Sequence, residues 1–318
     1  MSLTVALAQF FPVLLDRAAT LAKVIEGMRE AHERGAQLVC FSESFVPGYP
    51  SWLSVTGGAS FDDDVQKDIH ARYLREAVCI EEGHLDEVRA FAKTCRIAVY
   101  LGIIERPLDR GGHSLYCSLV YIDETGVIQS VHRKLQPTYE ERLSWSPGDG
   151  HGLVTHRLGD FTLGGLNCWE NWMPLARAAL YAQGENLHVA VWPGAVRNTH
   201  DLTPVLAKEG RSYVLSVCGV LRREQIPADF PHRERFVAAA PDVIHDGGSC
   251  AVAPDGSWLL EPQGDAAEGL HFVTLDIDNV RRERQNFDPS GHYSRPDVTR
   301  LVVNRERQGV LSIEGEKG

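Results

Sequence analysis

Over most of its length the chain alternates between short apolar, β-prone runs and segments whose apolar residues recur at helical spacing. That alternation commits it to sheets covered by helices, because neither kind of element can bury its apolar face alone. Residues 4–10 read as a strand. Leu21, Val24, Ile25, Met28 and Ala31 then recur at helical spacing up to Gly35, which stops the helix. Residues 37–43 (QLVCFSE) form a short buried strand, 84–94 a second helix, and 97–104 and 115–122 further strands. Asp123-Glu124-Thr125-Gly126 turns the chain into a strand over 127–134. Residues 161–168 are strand-like, and Leu175, Ala178, Ala179 and Ala182 mark the helix that follows. A strand at 187–192, a helix and strand over 208–220, and strands at 249–253 and 270–275 complete the pattern. No repeat, low-complexity tract or linker interrupts it, so the expectation is one α/β domain over 1–318.

Charge narrows the partners. Lys and Arg number 32 against 43 Asp and Glu, a formal balance of −11. Phosphate binding needs clustered cations, so nucleic acid is not expected as a partner. The short cluster Arg281-Arg282-Glu283-Arg284 is broken by an acid and reads as solvated surface or a subunit contact. No run approaches the ~20 apolar residues that cross a bilayer, and no membrane partner is expected. The start of the chain does not read as a secretory leader. Seven cysteines without a CxxC pair argue against a disulfide framework or zinc ribbon, and point to a reduced, cytoplasmic setting.

Three reactive side chains, Glu43, Lys134 and Cys168, each fall where an expected strand gives way to a loop. In α/β folds, sites gather beyond the carboxyl ends of strands, where loops present chemistry from a rigid sheet. Cys168 follows Gly164-Gly165-Leu166-Asn167, whose two glycines permit close backbone approach, and a helix after it would favour thiolate. A thiol nucleophile needs a proton acceptor, which Glu43 offers, and a donor to the developing anion, which Lys134 offers. Taken singly, each has a plainer reading: a buried structural cysteine, a helix cap or ion-pair partner, a solvated lysine.

Together they match a pattern. FSESFVPGYP (41–50), HRKLQPTYEER (132–142) and GLNCWENWMPL (165–175) resemble the three catalytic motifs of the nitrilase superfamily. CWEN-MPL resembles its true nitrilase branch and not the CY-D form of its amidases. DPSGHYSRPDV (288–298) is similar to a C-terminal segment of the same branch, and the likeness runs from about residue 4 to 303, leaving 304–318 as a tail. Ser44 stands where the first motif often has alanine or threonine.

The resemblance implies an α-β-β-α sandwich that associates further through helices and the C-terminal segment, forming a homo-oligomer. Glu43 is then the general base, Lys134 the stabiliser of the tetrahedral intermediate and Cys168 the nucleophile. Glu141 positions Lys134, with Glu140 the neighbouring candidate. The N–H of Trp169 assists the oxyanion. Tyr49, Trp145, Trp169, Trp172 and Pro193 beside the motifs are candidate substrate-binding residues. The implied substrate is a small-molecule nitrile, hydrolysed without a metal or organic cofactor. An amidase, a carbamoyl-amine hydrolase or a cyanide hydratase would use the same residues, and a non-catalytic assembly protein would keep only the fold. The family's longer tail is absent here, which leaves the size of any oligomer open.

Overall fold

The computed structural model describes residues 2–311. Two six-stranded sheets stack face to face. The first runs, in spatial order, Gly269–Asp276, Ser2–Gln9, Leu38–Phe41, Ala98–Glu105, Tyr116–Ile122 and Ile128–Arg133. The second runs Trp258–Gln263, Ser249–Val252, Tyr213–Cys218, Leu187–Trp192, Phe161–Asn167 and His156–Leu158. Leu3, Val5 and Leu7 of the first sheet meet Leu163, Val189 and Leu215 of the second in one buried core between them. Alternate residues point the other way, as the two-residue period of a strand requires. Ala6, Ala8 and Val39 pack under Val24 and Met28 of the helix Arg17–Glu33 and Val88 of Asp86–Cys95. On the far face, Ala190, Trp192 and Val214 pack under Leu202 and Leu206 of the helix Leu202–Gly210. The layers are therefore helix, sheet, sheet, helix, as expected.

Strand direction brings the site together. Leu38–Phe41 is parallel to Ala98–Glu105; two antiparallel steps later, Ile128–Arg133 runs the same way as Leu38–Phe41. Their carboxyl ends, before Glu43 and Lys134, lie at one edge of the sheet. In the second sheet Phe161–Asn167 is parallel to Leu187–Trp192. The Glu43 N–H donates to the carbonyl of Trp192 at 3.3 Å, so the corresponding edge of that sheet meets the first.

Several elements depart from the sequence reading. The helix expected from 208 onward is Leu202–Gly210, ended by Gly210 and a left-handed Arg211. Pro204 sits in its first turn, where a missing N–H is no loss. The helices Asp64–Glu76, Arg233–Ala239 and Ile277–Arg284 carried weak signals: Asp64–Glu76 buries only Ile69 and Tyr73. His156–Leu158, Val243–Asp246 and Trp258–Gln263 are short or half-exposed edge strands. The basic cluster closes the helix Ile277–Arg284, where Arg284 donates to the Gly210 carbonyl at 3.2 Å. Residues 288–298 form turns without helix or strand. Of the tail, Arg307 pairs with Asp149 at 3.0 Å, and 312–318 lie outside the described residues. Among the described residues, no helix is long and apolar enough to cross a membrane.

Candidate active site

Glu43 leaves its strand on a tight loop pressed against the neighbouring one. Gly102 makes that possible, because a Cβ there would lie 2.1 Å from the Ser42 carbonyl oxygen. Ser44, the next residue, takes a left-handed backbone with φ of 49°. Lys134 directly follows the strand Ile128–Arg133, and its N–H donates to the Cys117 carbonyl at 2.7 Å. Its ammonium is buried and donates to Glu43 at 2.8 Å and to Glu141 at 2.7 Å. A buried ammonium persists only when paired in this way. Glu141, and not Glu140, therefore faces Lys134. It is fixed by the Thr138 N–H at 2.6 Å and the Tyr49 hydroxyl at 2.8 Å.

Cys168 opens a short turn, Cys168–Trp172, with a left-handed φ of 47° that a non-glycine residue adopts only when its surroundings enforce it. Reactive atoms of Cys168, Glu43 and Glu141 all lie within 4.8 Å of one another. That trio has the residue types of a metal site, but the Lys134 ammonium already supplies the positive charge that the two carboxylates require.

The two carboxylates are not equivalent. Both oxygens of Glu141 accept strong hydrogen bonds. Glu43 accepts at Oε1 from Lys134 and, at 3.6 Å, from the Cys117 thiol, while its Oε2 is buried without a partner. An open acceptor beside a thiol is what a base requires. Burial pushes the Glu43 carboxyl up, Lys134 pulls it down and Glu141 pushes it up again, leaving it near neutrality at about 7. Burial and the Glu43 charge hold the Cys168 thiol well above its ordinary value, against the pull of Lys134 and the Trp169 N–H. This corrects the expectation that a helix terminus favours thiolate. Only the single 3-10 turn Cys168–Trp172 starts at the sulfur, and the next α-helix, Pro174–Tyr181, begins six residues on, so no long helix terminus stands there to offset burial. At rest Cys168 is therefore a thiol, and any attack by its sulfur would need a base to take that proton.

The chain from 4 to 285 matches the sequence model of the carbon–nitrogen hydrolase family. It is 37% identical over 316 residues to a nitrilase of Pseudomonas syringae pv. syringae, covering 95% of this chain and 90% of that one. An aliphatic nitrilase of Rhodococcus rhodochrous is 32% identical over 317 residues, covering 94% and 79% respectively. The chain belongs to the carbon–nitrogen hydrolase family, in its nitrilase branch. A solved amidase from Nesterenkonia sp. AN1 shares the fold at a TM-score of 0.65 and 21% identity, over 89% of this chain and 97% of that one.

In this carbon–nitrogen hydrolase the sulfur opens onto a cleft of about 480 Å³. Tyr49, Trp169, Trp172 and Pro193 line it together with Glu141. Trp145 does not. It lies behind the site with Lys134 5.5 Å from its ring centroid, and its indole N–H donates to the Tyr73 hydroxyl. The candidate wall residue is thus a backing for the ammonium, with Tyr49, which does line the cleft, packed edge-on against its ring at 5.6 Å. Asn198, Ile244 and His245 also line it, with Gly194, Ala195 and Arg197, and carried no local sequence signal. They arrive on a two-stranded ribbon, Val220–Arg222 with Val243–Asp246, and on the loop after Trp192 with the short helix Val196–Thr199 that follows it. His245 is fixed by Ser51 at 2.8 Å, and burial pushes its pKa down to about 4, so its imidazole is neutral. Thr138, by contrast, was legible: Thr138 and Glu141 have the spacing of a capping box.

Proposed function

We propose that this protein hydrolyses organic nitriles to carboxylic acids and ammonia through a covalent adduct on Cys168. The observation that carries the reading is the buried Lys134 ammonium shared by two carboxylates beside a thiol, with one oxygen of Glu43 left free. The thiol adds to the nitrile carbon, and its proton passes by way of Glu43 to the nitrile nitrogen, giving a thioimidate. Water adds across the C=N bond, the C–N bond breaks and ammonia leaves, so that a thioester remains. A second water cleaves the C–S bond and restores the thiol with release of the acid. Lys134 and the Trp169 N–H meet the negative charge at each addition. Glu141 holds Lys134 in place. The nitrile in particular is supported by the nitrilases to which the chain is similar over nearly its whole length. The likeness to an amidase structure bears on the fold alone.

Matched nitrile and amide pairs test it. The nitrile is expected to have the higher kcat/KM in each pair, and intact-mass spectrometry of quenched reactions should place added mass on the peptide carrying Cys168. Preference for the amide across several pairs would move the substrate to amides while leaving the site intact.

We further read the chain as one catalytic unit that forms homo-oligomers in a reduced, cytoplasmic setting. The first and last strands of the first sheet pair along their full length, and all seven cysteines are free. Trp169, Trp172, Met173 and Leu175 lie close together in sequence and are all exposed, which supports association through this side. Light scattering at micromolar concentration should give a dimer or larger; a monomer at every concentration removes this part of the reading.

A further inference from the structure

Lys134 and Cys168 belong to different sheets, and a carboxylate the reaction does not use lies between their segments. Glu170, two residues beyond the nucleophile, is buried. It accepts from the Asn167 N–H at 2.8 Å, immediately before Cys168. It also accepts from the Leu135 N–H at 2.5 Å, immediately after Lys134. The imidazole of His132, two residues before Lys134, donates from Nε2 to both of its oxygens at 3.1 and 3.2 Å. His132 is itself buried, and its Nδ1 has no partner, so its one polar link runs from Nε2 to the carboxylate. One carboxylate therefore takes hydrogen bonds from both sides of Lys134 and from the residue preceding Cys168.

We propose that Glu170, oriented by His132, is a positioning residue that sets the distance between the Cys168 thiol and the Lys134 ammonium. The proposal rests on the reading of these two as the reacting pair. A second brace acts separately within the second sheet, where the Asn171 amide donates to the Cys168 carbonyl at 2.8 Å and is held by His188 at 2.7 Å. That brace maintains the left-handed turn at Cys168 but does not reach the lysine segment. Glu170 does, and it does not line the cleft. Burial pushes the Glu170 carboxyl up, but His132 and the two N–H groups more than offset this and hold it below its ordinary value, so it remains an acceptor.

Glu170→Gln keeps the shape and turns one acceptor oxygen into an NH₂ that faces N–H donors. A displacement of the nucleophile by about 1 Å costs about 10²-fold in rate, so kcat should fall between about 10- and 100-fold with KM within about threefold. The rate of Cys168 alkylation by iodoacetamide, which needs no nitrile, should fall in parallel at every pH from 6 to 9. A purely structural role would lower the melting temperature and leave both rates, per folded molecule, unchanged. A folded Glu170→Gln protein with wild-type kcat and alkylation rate overturns the proposal. Should that variant fail to fold, His132→Gln decides. It leaves both backbone N–H bonds to Glu170, and should lose kcat and alkylation rate together by a smaller factor; unchanged rates there overturn the proposal equally. Fast alkylation of the wild type without turnover of any nitrile would count against the substrate reading only.

Discussion

Cys168→Ala is expected to leave less than about a thousandth of wild-type kcat with the fold intact, because no other group can take up the covalent role. The structure makes this sharper than the sequence did, since a second thiol also reaches Glu43. Cys117 donates to that carboxylate at 3.6 Å, but it sits within the strand Tyr116–Ile122 and does not line the cleft, so no substrate carbon can approach its sulfur. Cys168 lines the cleft directly. Cys168→Ser should fail nearly as completely, because an alkoxide is far harder to generate with a carboxylate base than a thiolate. Cys250→Ala is the control: that thiol is buried in the strand Ser249–Val252 and bonds to Thr203 at 3.5 Å, away from the cleft. It should lose stability and keep its kcat. Substrate-dependent ammonia release by Cys168→Ala above about a hundredth of wild type would falsify the nucleophile assignment.

Glu43→Gln and Lys134→Ala should each lower kcat by roughly a thousandfold or more, and the double variant should lose little beyond either single one. In the proposed mechanism the two side chains act on the same proton and the same developing charge. If the two losses multiplied, the residues would be working independently and the shared-site mechanism would fail. The variants should differ in stability. Glu43→Gln keeps a hydrogen-bond acceptor for the ammonium, whereas Lys134→Ala leaves two buried carboxylates without their cation, a loss of about 3–5 kcal/mol for a broken buried pair. Lys134→Arg should also be inactive, because a planar guanidinium does not fit where a compact ammonium meets two carboxylates 2.7 and 2.8 Å away. The pH profile gives an independent reading. With Glu43 raised to about 7, its carboxylate form is lost as pH falls through that value, so kcat/KM should drop about tenfold per unit below it. A flat profile down to pH 5 would show that Glu43 is not the titrating base.

The layered α/β fold, and the three chain segments proposed to carry the chemistry, were legible in the sequence. Strand and helix periods are local properties, and they were written plainly in elements that bury a full face, such as Leu187–Trp192 and Arg17–Glu33. Elements that bury only a few residues, such as Asp64–Glu76, carry too narrow an apolar stripe to announce themselves. Tertiary structure decided everything that depends on which segments meet. It chose Glu141 over Glu140, moved Trp145 behind the lysine and brought His245 into the cleft from a distant ribbon. It also reversed the expected state of Cys168. Local sequence suggested a stabilised thiolate, but desolvation and the charge of Glu43 are long-range terms that exist only once two sheets close over the sulfur. Pattern can show that an acid, a base and a thiol are present, but their protonation is set by the neighbours that folding supplies.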